Sequence, residues 1–117
     1  MSEIPRKTKG LVFLRDHGQC IRCGAEGELN FHHRKLRSQS AKAAVHNPEN
    51  IILLCGSGTT GCHGWVHANP STAYLMGWLV PSWADPLDVP CFVLTEDEFY
   101  RLDPDASRSI TQKKEVA

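Results

Sequence analysis

Five cysteines and six histidines in this chain are of types that bind metal ions or move protons, and spacing groups eight of them. The densest stretch is Cys55-Gly56-Ser57-Gly58-Thr59-Thr60-Gly61-Cys62-His63-Gly64-Trp65-Val66-His67. Upstream stand Cys20-Ile21-Arg22-Cys23-Gly24 and the pair His32-His33. Two residues between Cys20 and Cys23 let both thiolates reach one ion, and Gly24 permits the tight turn of a metal knuckle. With Cys55 and Cys62 they make a four-thiolate set, which suits tetrahedral zinc and leaves no open position for water or substrate. The expected role is therefore structural. His63 and His67 are four apart, so on a helix they share one face and can bind one ion. Cys62 and His63 lie about 100° apart around such a helix, so neighbouring residues can serve different ions. His32 and His33 fall in a strand-like run, where neighbours point to opposite faces. Either one of them faces the site, or the strand ends there and both reach it. One histidine as ligand and one as general base would meet the needs of hydrolysis, because a neutral imidazole can take a proton from water.

The elements that must position these groups are short. Leu29 to Arg34 alternates at its start and reads as a strand, and Ile51-Ile52-Leu53-Leu54 reads as a buried strand that returns the chain to the second cysteine pair. Helical spacing runs from Cys62 to Ala68 and stops at Asn69-Pro70. Ser71 is placed to cap a second helix from Thr72, with Leu75, Met76 and Leu79 packing. Residues 35–46 read as a basic loop or frayed helix, and Asn47-Pro48-Glu49-Asn50 as a turn. Trp78, Pro81, Trp83 and Pro86 read as a loop covering the core. Residues 89–94 and 98–102 read as a late hairpin. A short helix or turn is expected at 10–17, a flexible basic arm at 1–9 and a polar, disordered tail at 104–117. The Gly56–Gly61 loop lacks the lysine and the strand-to-helix setting of a phosphate cradle. His17 and His46 read as isolated and exposed, and Cys91 as a buried free thiol.

At 117 residues, one α+β domain is expected. Charge balances overall, with 13 basic and 13 acidic residues, but not along the chain. Residues 1–50 hold nine basic against five acidic residues, and the remainder four against eight. A basic half points weakly to nucleic acid. No apolar run is long enough to span a membrane, and no signal peptide opens the chain. A cytoplasmic, reducing setting follows, in which five cysteines read as metal ligands before disulfides.

The order Cys-x-x-Cys, His32-His33-Arg34, Asn50-Ile51-Ile52-Leu53-Leu54-Cys55, Cys62-His63 and His67 resembles the HNH endonucleases, the ββα-metal (His-Me finger) group elaborated with zinc knuckles. The resemblance covers about residues 15–70. It implies that residues 10–103 form an HNH nuclease domain with its motif core at 20–70, stapled by a structural zinc on Cys20, Cys23, Cys55 and Cys62. It implies that His33 activates water, that Asn50 fixes the loop between the strands and the orientation of the base, and that His63 binds the catalytic divalent ion (magnesium, manganese, nickel or zinc). His32 matches a position often held by a metal ligand, and His67 the extra ligand of His-x-x-x-His variants. Arg34, Lys35 and Arg37 would contact DNA phosphates. One departure is the six residues between Cys55 and Cys62, where the family usually has two. The stretch after His63 is similar to small phage-encoded HNH proteins, which implies host cytoplasm and a role with terminase and portal proteins in DNA packaging. The competing expectation is a noncatalytic zinc module that binds DNA or a protein partner.

Overall fold

β2 (Ile51–Cys55) is apolar at four successive positions because it is buried on both faces. Ile52 and Leu54 point into the main core with Val66, Ala73, Trp78, Leu79, Val93 and Leu102. Ile51 and Leu53 point the other way, against Val12 and the half-buried Ile4, Leu29 and Phe31. Period-two alternation thus divides one strand between two hydrophobic clusters. The computed structural model describes residues 3–111. Within them the order is α1 (Arg6–Arg15), β1 (Leu29–His33), β2, α2 (Gly61–Ala68), α3 (Pro70–Met76), β3 (Cys91–Val93), β4 (Glu98–Leu102) and β5 (Arg108–Ile110), with single 3-10 turns between. The result is a small α+β domain with two antiparallel sheets, one of β1 and β2, the other in the order β3-β4-β5.

β1 and β2 pair so that His32 stands opposite Ile52 and His33 opposite Ile51. The free edge of β2 is satisfied from elsewhere in the chain. The Leu53 amide donates to the Asp16 carboxylate at 3.1 Å, and the Leu53 carbonyl accepts from the Ile21 amide at 2.9 Å. Ile21 also accepts at its carbonyl from the Leu94 amide at 3.1 Å, so the cysteine knuckle backbone links the two sheets. Arg15, in a 2.8 Å ion pair with Asp16, donates to the carbonyls of Pro48 and Ile51 and fastens α1 to the start of β2.

Five expectations are corrected. α1 begins at Arg6, so residues 6–9 are helical and not part of a loose arm. β5 lies in the stretch expected as a disordered tail; its alternation is masked by Arg108 and Ser109, and pairing with β4 holds it. Residues 112–117 of that tail lie outside the described residues. Leu75, expected to pack, is 75 % exposed, and Trp83, expected to cover the core, is 86 % exposed. α3 starts at Pro70, one residue before the expected cap, because proline's missing amide costs nothing in a first turn. Among the described residues, no helix is long and apolar enough to cross a membrane.

Candidate metal centres and cleft

The loop from Cys55 to Cys62 folds back on itself. Gly56 has φ +88°, and its α-carbon abuts the Thr60 backbone, where a side chain would collide. Gly64 lies one turn into α2, and a Cβ there would meet the Thr59 carbonyl carbon at 2.5 Å. The chain can therefore turn sharply and start α2 with Cys62 facing the core. The Sγ atoms of Cys20, Cys23, Cys55 and Cys62 lie within 4.8 Å of one another, as a set that could hold a metal ion such as zinc. The longer spacing of the second pair is absorbed entirely by this loop. The Cys62 amide donates to Cys55 Sγ at 3.3 Å. Arg22 donates to Cys62 Sγ at 3.4 Å while stacking over the Trp65 ring at 3.6 Å. Burial pushes the Cys62 thiol well up, and Arg22 opposes that shift by favouring the thiolate.

The histidines form a second, separate group. Ring nitrogens of His32, His63 and His67 come within 4.8 Å of one another. His32 is buried and belongs to β1; His63 is half-buried and His67 exposed, one turn apart on α2. The ring partners decide which nitrogens are free. His32 Nε2 is 2.8 Å from the Trp78 carbonyl, which can only accept, so Nε2 carries the hydrogen and Nδ1 keeps its lone pair. His63 Nδ1 is 2.9 Å from Asn30 Oδ1, which can only accept, so Nδ1 carries the hydrogen and Nε2 keeps its lone pair. Imidazoles anchored through their second nitrogen are the usual companions of a bound ion. Burial first, then Trp78's opposing hydrogen bond and the neighbouring histidines, set His32 low, at about 3, so it is neutral and ligand-ready. His63 is lowered by burial and by His67. Three imidazoles fit a borderline divalent ion and leave coordination positions open, in contrast to the closed thiolate set.

His33, at the end of β1, turns away from this group. It lines a shallow cleft of about 360 Å³ with His63, Asn30, Phe31, Lys9, Arg37, Ile4 and Glu3. The two adjacent histidines thus divide as strand geometry requires: His32 joins the cluster and His33 faces the cleft. Burial and nearby His46 and Arg37 lower His33 to about 4, which keeps it neutral. Its Nε2 lies 3.0 Å from His46 Nδ1. His46, expected to be isolated and exposed, is half-buried; its partner stands thirteen residues away, and only the folded loop reveals it.

Asn50 is buried and closes that loop. Its Oδ1 accepts from the Lys35 amide at 2.7 Å, and its Nδ2 donates to the carbonyls of Val45 at 3.0 Å and Lys35 at 3.3 Å. It does not bond to His33. Arg34 is also a correction. Expected at DNA phosphates, it is fully buried and donates to the carbonyls of Gly77, Glu49, Pro86 and Val89. Lys35 is half-buried and donates to the Ala84 carbonyl at 2.9 Å, and Arg37 is exposed at the cleft. Asn30 was missed, because it reads as an ordinary strand residue; Lys9, from the stretch expected as a basic arm, lines the cleft from α1. No protein-family model, no curated protein and no solved structure matches the chain.

Proposed function

We propose that the protein is a metal-dependent endonuclease that hydrolyses phosphodiester bonds in DNA, with β1, β2 and α2 serving as the ββα-metal core of an HNH nuclease. The observation that carries the reading is the open cluster of His32, His63 and His67 beside a neutral His33 on the wall of a cleft that His63 shares. The cysteine set then holds a structural zinc that fixes the start of α2, and with it the positions of His63 and His67. His32, His63 and His67 would hold a divalent ion, which would supply positive charge to the phosphate and the departing oxygen. All-imidazole donors favour nickel or zinc over magnesium, which prefers oxygen ligands. His33 accepts the proton of the attacking water, since its lowered pKa keeps a lone pair available at neutral pH. Lys9 and Arg37, at the cleft, take the place of Arg34 as phosphate contacts. Asn50 keeps the loop that follows β1 in its closed shape. The resemblance to phage-encoded proteins extends the proposal to DNA packaging beside terminase in the host cytoplasm.

Supercoiled plasmid incubated with the zinc-loaded protein and added manganese or nickel tests the reading. Conversion to nicked circles by the wild type, abolished in His33→Ala, is expected. DNA retardation without nicking under every metal would leave a noncatalytic DNA-binding zinc module instead.

A further inference from the structure

We infer that His46 is the positioning residue of the hydrolytic centre: it accepts the hydrogen bond of His33 Nε2 and so fixes the His33 lone pair on Nδ1. The inference rests on the nuclease reading above. Two imidazoles joined through one pair of nitrogens share a single hydrogen. His33 Nε2 and His46 Nδ1 lie 3.0 Å apart, with the ring centroids 5.1 Å apart. If His33 donates, its Nδ1 is bare and can take a proton from water. If His46 donates, the His33 hydrogen moves to Nδ1 and the base is blocked. A working base therefore requires His46 Nδ1 to be the acceptor.

The loop around His46 is built to hold it there. The Val45 amide donates to the Ala41 carbonyl at 3.0 Å and the Asn47 amide to the Ala44 carbonyl at 3.0 Å. Val45 is buried, and its carbonyl accepts from Asn50 Nδ2 at 3.0 Å. Asn50 thus acts on His33 at one remove, through the residue next to Val45. The contact also strengthens when it matters. Once His33 has taken the proton of water it is a cation, and the bond to His46 becomes charge-assisted, roughly twice as strong as a neutral one. An interaction that tightens as the reaction advances lowers the barrier and not merely the ground state.

The test pairs kinetics with a spectroscopic readout. His46→Ala should lower kcat for nicking by about tenfold or more, within the ~10²–10⁴ that a general base contributes, and leave KM unchanged. His46→Asn should restore most of it, because the Asn oxygen can replace Nδ1 as acceptor. In nitrogen-15 NMR spectra of the zinc-loaded protein without a second ion, His33 should hold the Nε2–H tautomer in wild type and His46→Asn. In His46→Ala it should become a tautomer mixture. Wild-type kcat in His46→Ala beside an inactive His33→Ala would overturn this inference alone, as would an unchanged tautomer. A wild type that does not cut DNA would overturn the nuclease reading and the inference with it.

Discussion

Replacing Arg34 separates a structural brace from a DNA contact. The side chain is fully buried, and every hydrogen bond it makes goes to a backbone carbonyl: Gly77 at 2.8 Å, Glu49 at 2.7 Å, Pro86 at 3.3 Å, and Val89. These carbonyls belong to the end of α3, the turn before β2 and the loop before β3, so one guanidinium draws three segments together. Burial lowers its pKa from the ordinary value, yet arginine remains a cation. Arg34→Met keeps much of the volume and removes the donors. The bonds to Gly77 and Glu49 are fully buried, and each stranded acceptor costs about 1–3 kcal/mol. Relief from holding a buried charge offsets part of that. A net loss of about 3 kcal/mol is expected, a large share of the ~5–15 kcal/mol typical of a domain. At ~4 °C per kcal/mol for a chain of this size, Tm should fall by roughly 12 °C. Urea unfolding followed by circular dichroism, with a calorimetric scan, measures both. The salt dependence of DNA binding, measured on the folded variant, should keep its wild-type slope. A variant as stable as wild type, whose salt slope falls by about one phosphate contact, would refute the reasoning and return Arg34 to the DNA surface.

Cys20→Ser should release zinc and unfold the domain, because a structural zinc contributes an apparent ~10–16 kcal/mol at neutral pH, as much as the fold itself; metal analysis with circular dichroism checks this, and a folded, zinc-free variant contradicts it. His63→Ala should stay folded but lose nicking by about 100-fold and lose calorimetric binding of the second ion; loss of the fold would make His63 structural. His33 should titrate at about 4 by NMR, against about 6.5 in the unfolded chain. Since the native state then binds fewer protons, this group's contribution to stability is present above about 6.5 and is lost as pH falls toward about 4. His33→Gln should remove that part of the acid decline, and a midpoint near 6.5 would deny the burial of the ring.

The parts of the structure legible in the sequence were those with a short-range period or spacing. Two strands, the helix at 61–68 and the grouping of four cysteines follow from alternation, from i,i+4 spacing and from the reach of a two-residue knuckle. The division of His32 from His33 follows from the pleat, although alternation alone left open which one faced the metal group. What escaped depended on contacts far apart in sequence. Arg34 beside two histidines looks like a phosphate contact until the 77–89 segment closes over it. His46 has no local signal at all, since its partner comes from the other end of a loop. α1 hides its start because Gly10 and the exposed Leu11, Phe13 and Leu14 break any apolar stripe. Trp83 reads as core by its chemistry alone, and its exposure is set by a loop with Pro81 and Pro86 on either side.

Single-turnover cleavage of an end-labelled DNA duplex tests the account at its centre, comparing wild type with His33→Ala, each zinc-loaded, with and without added manganese or nickel. Hydrolysis by the wild type is expected only when the second ion is supplied, with His33→Ala slower by about 100-fold or more. Equal rates in the two proteins, or cleavage that persists after a chelator removes the exchangeable ion, would contradict it.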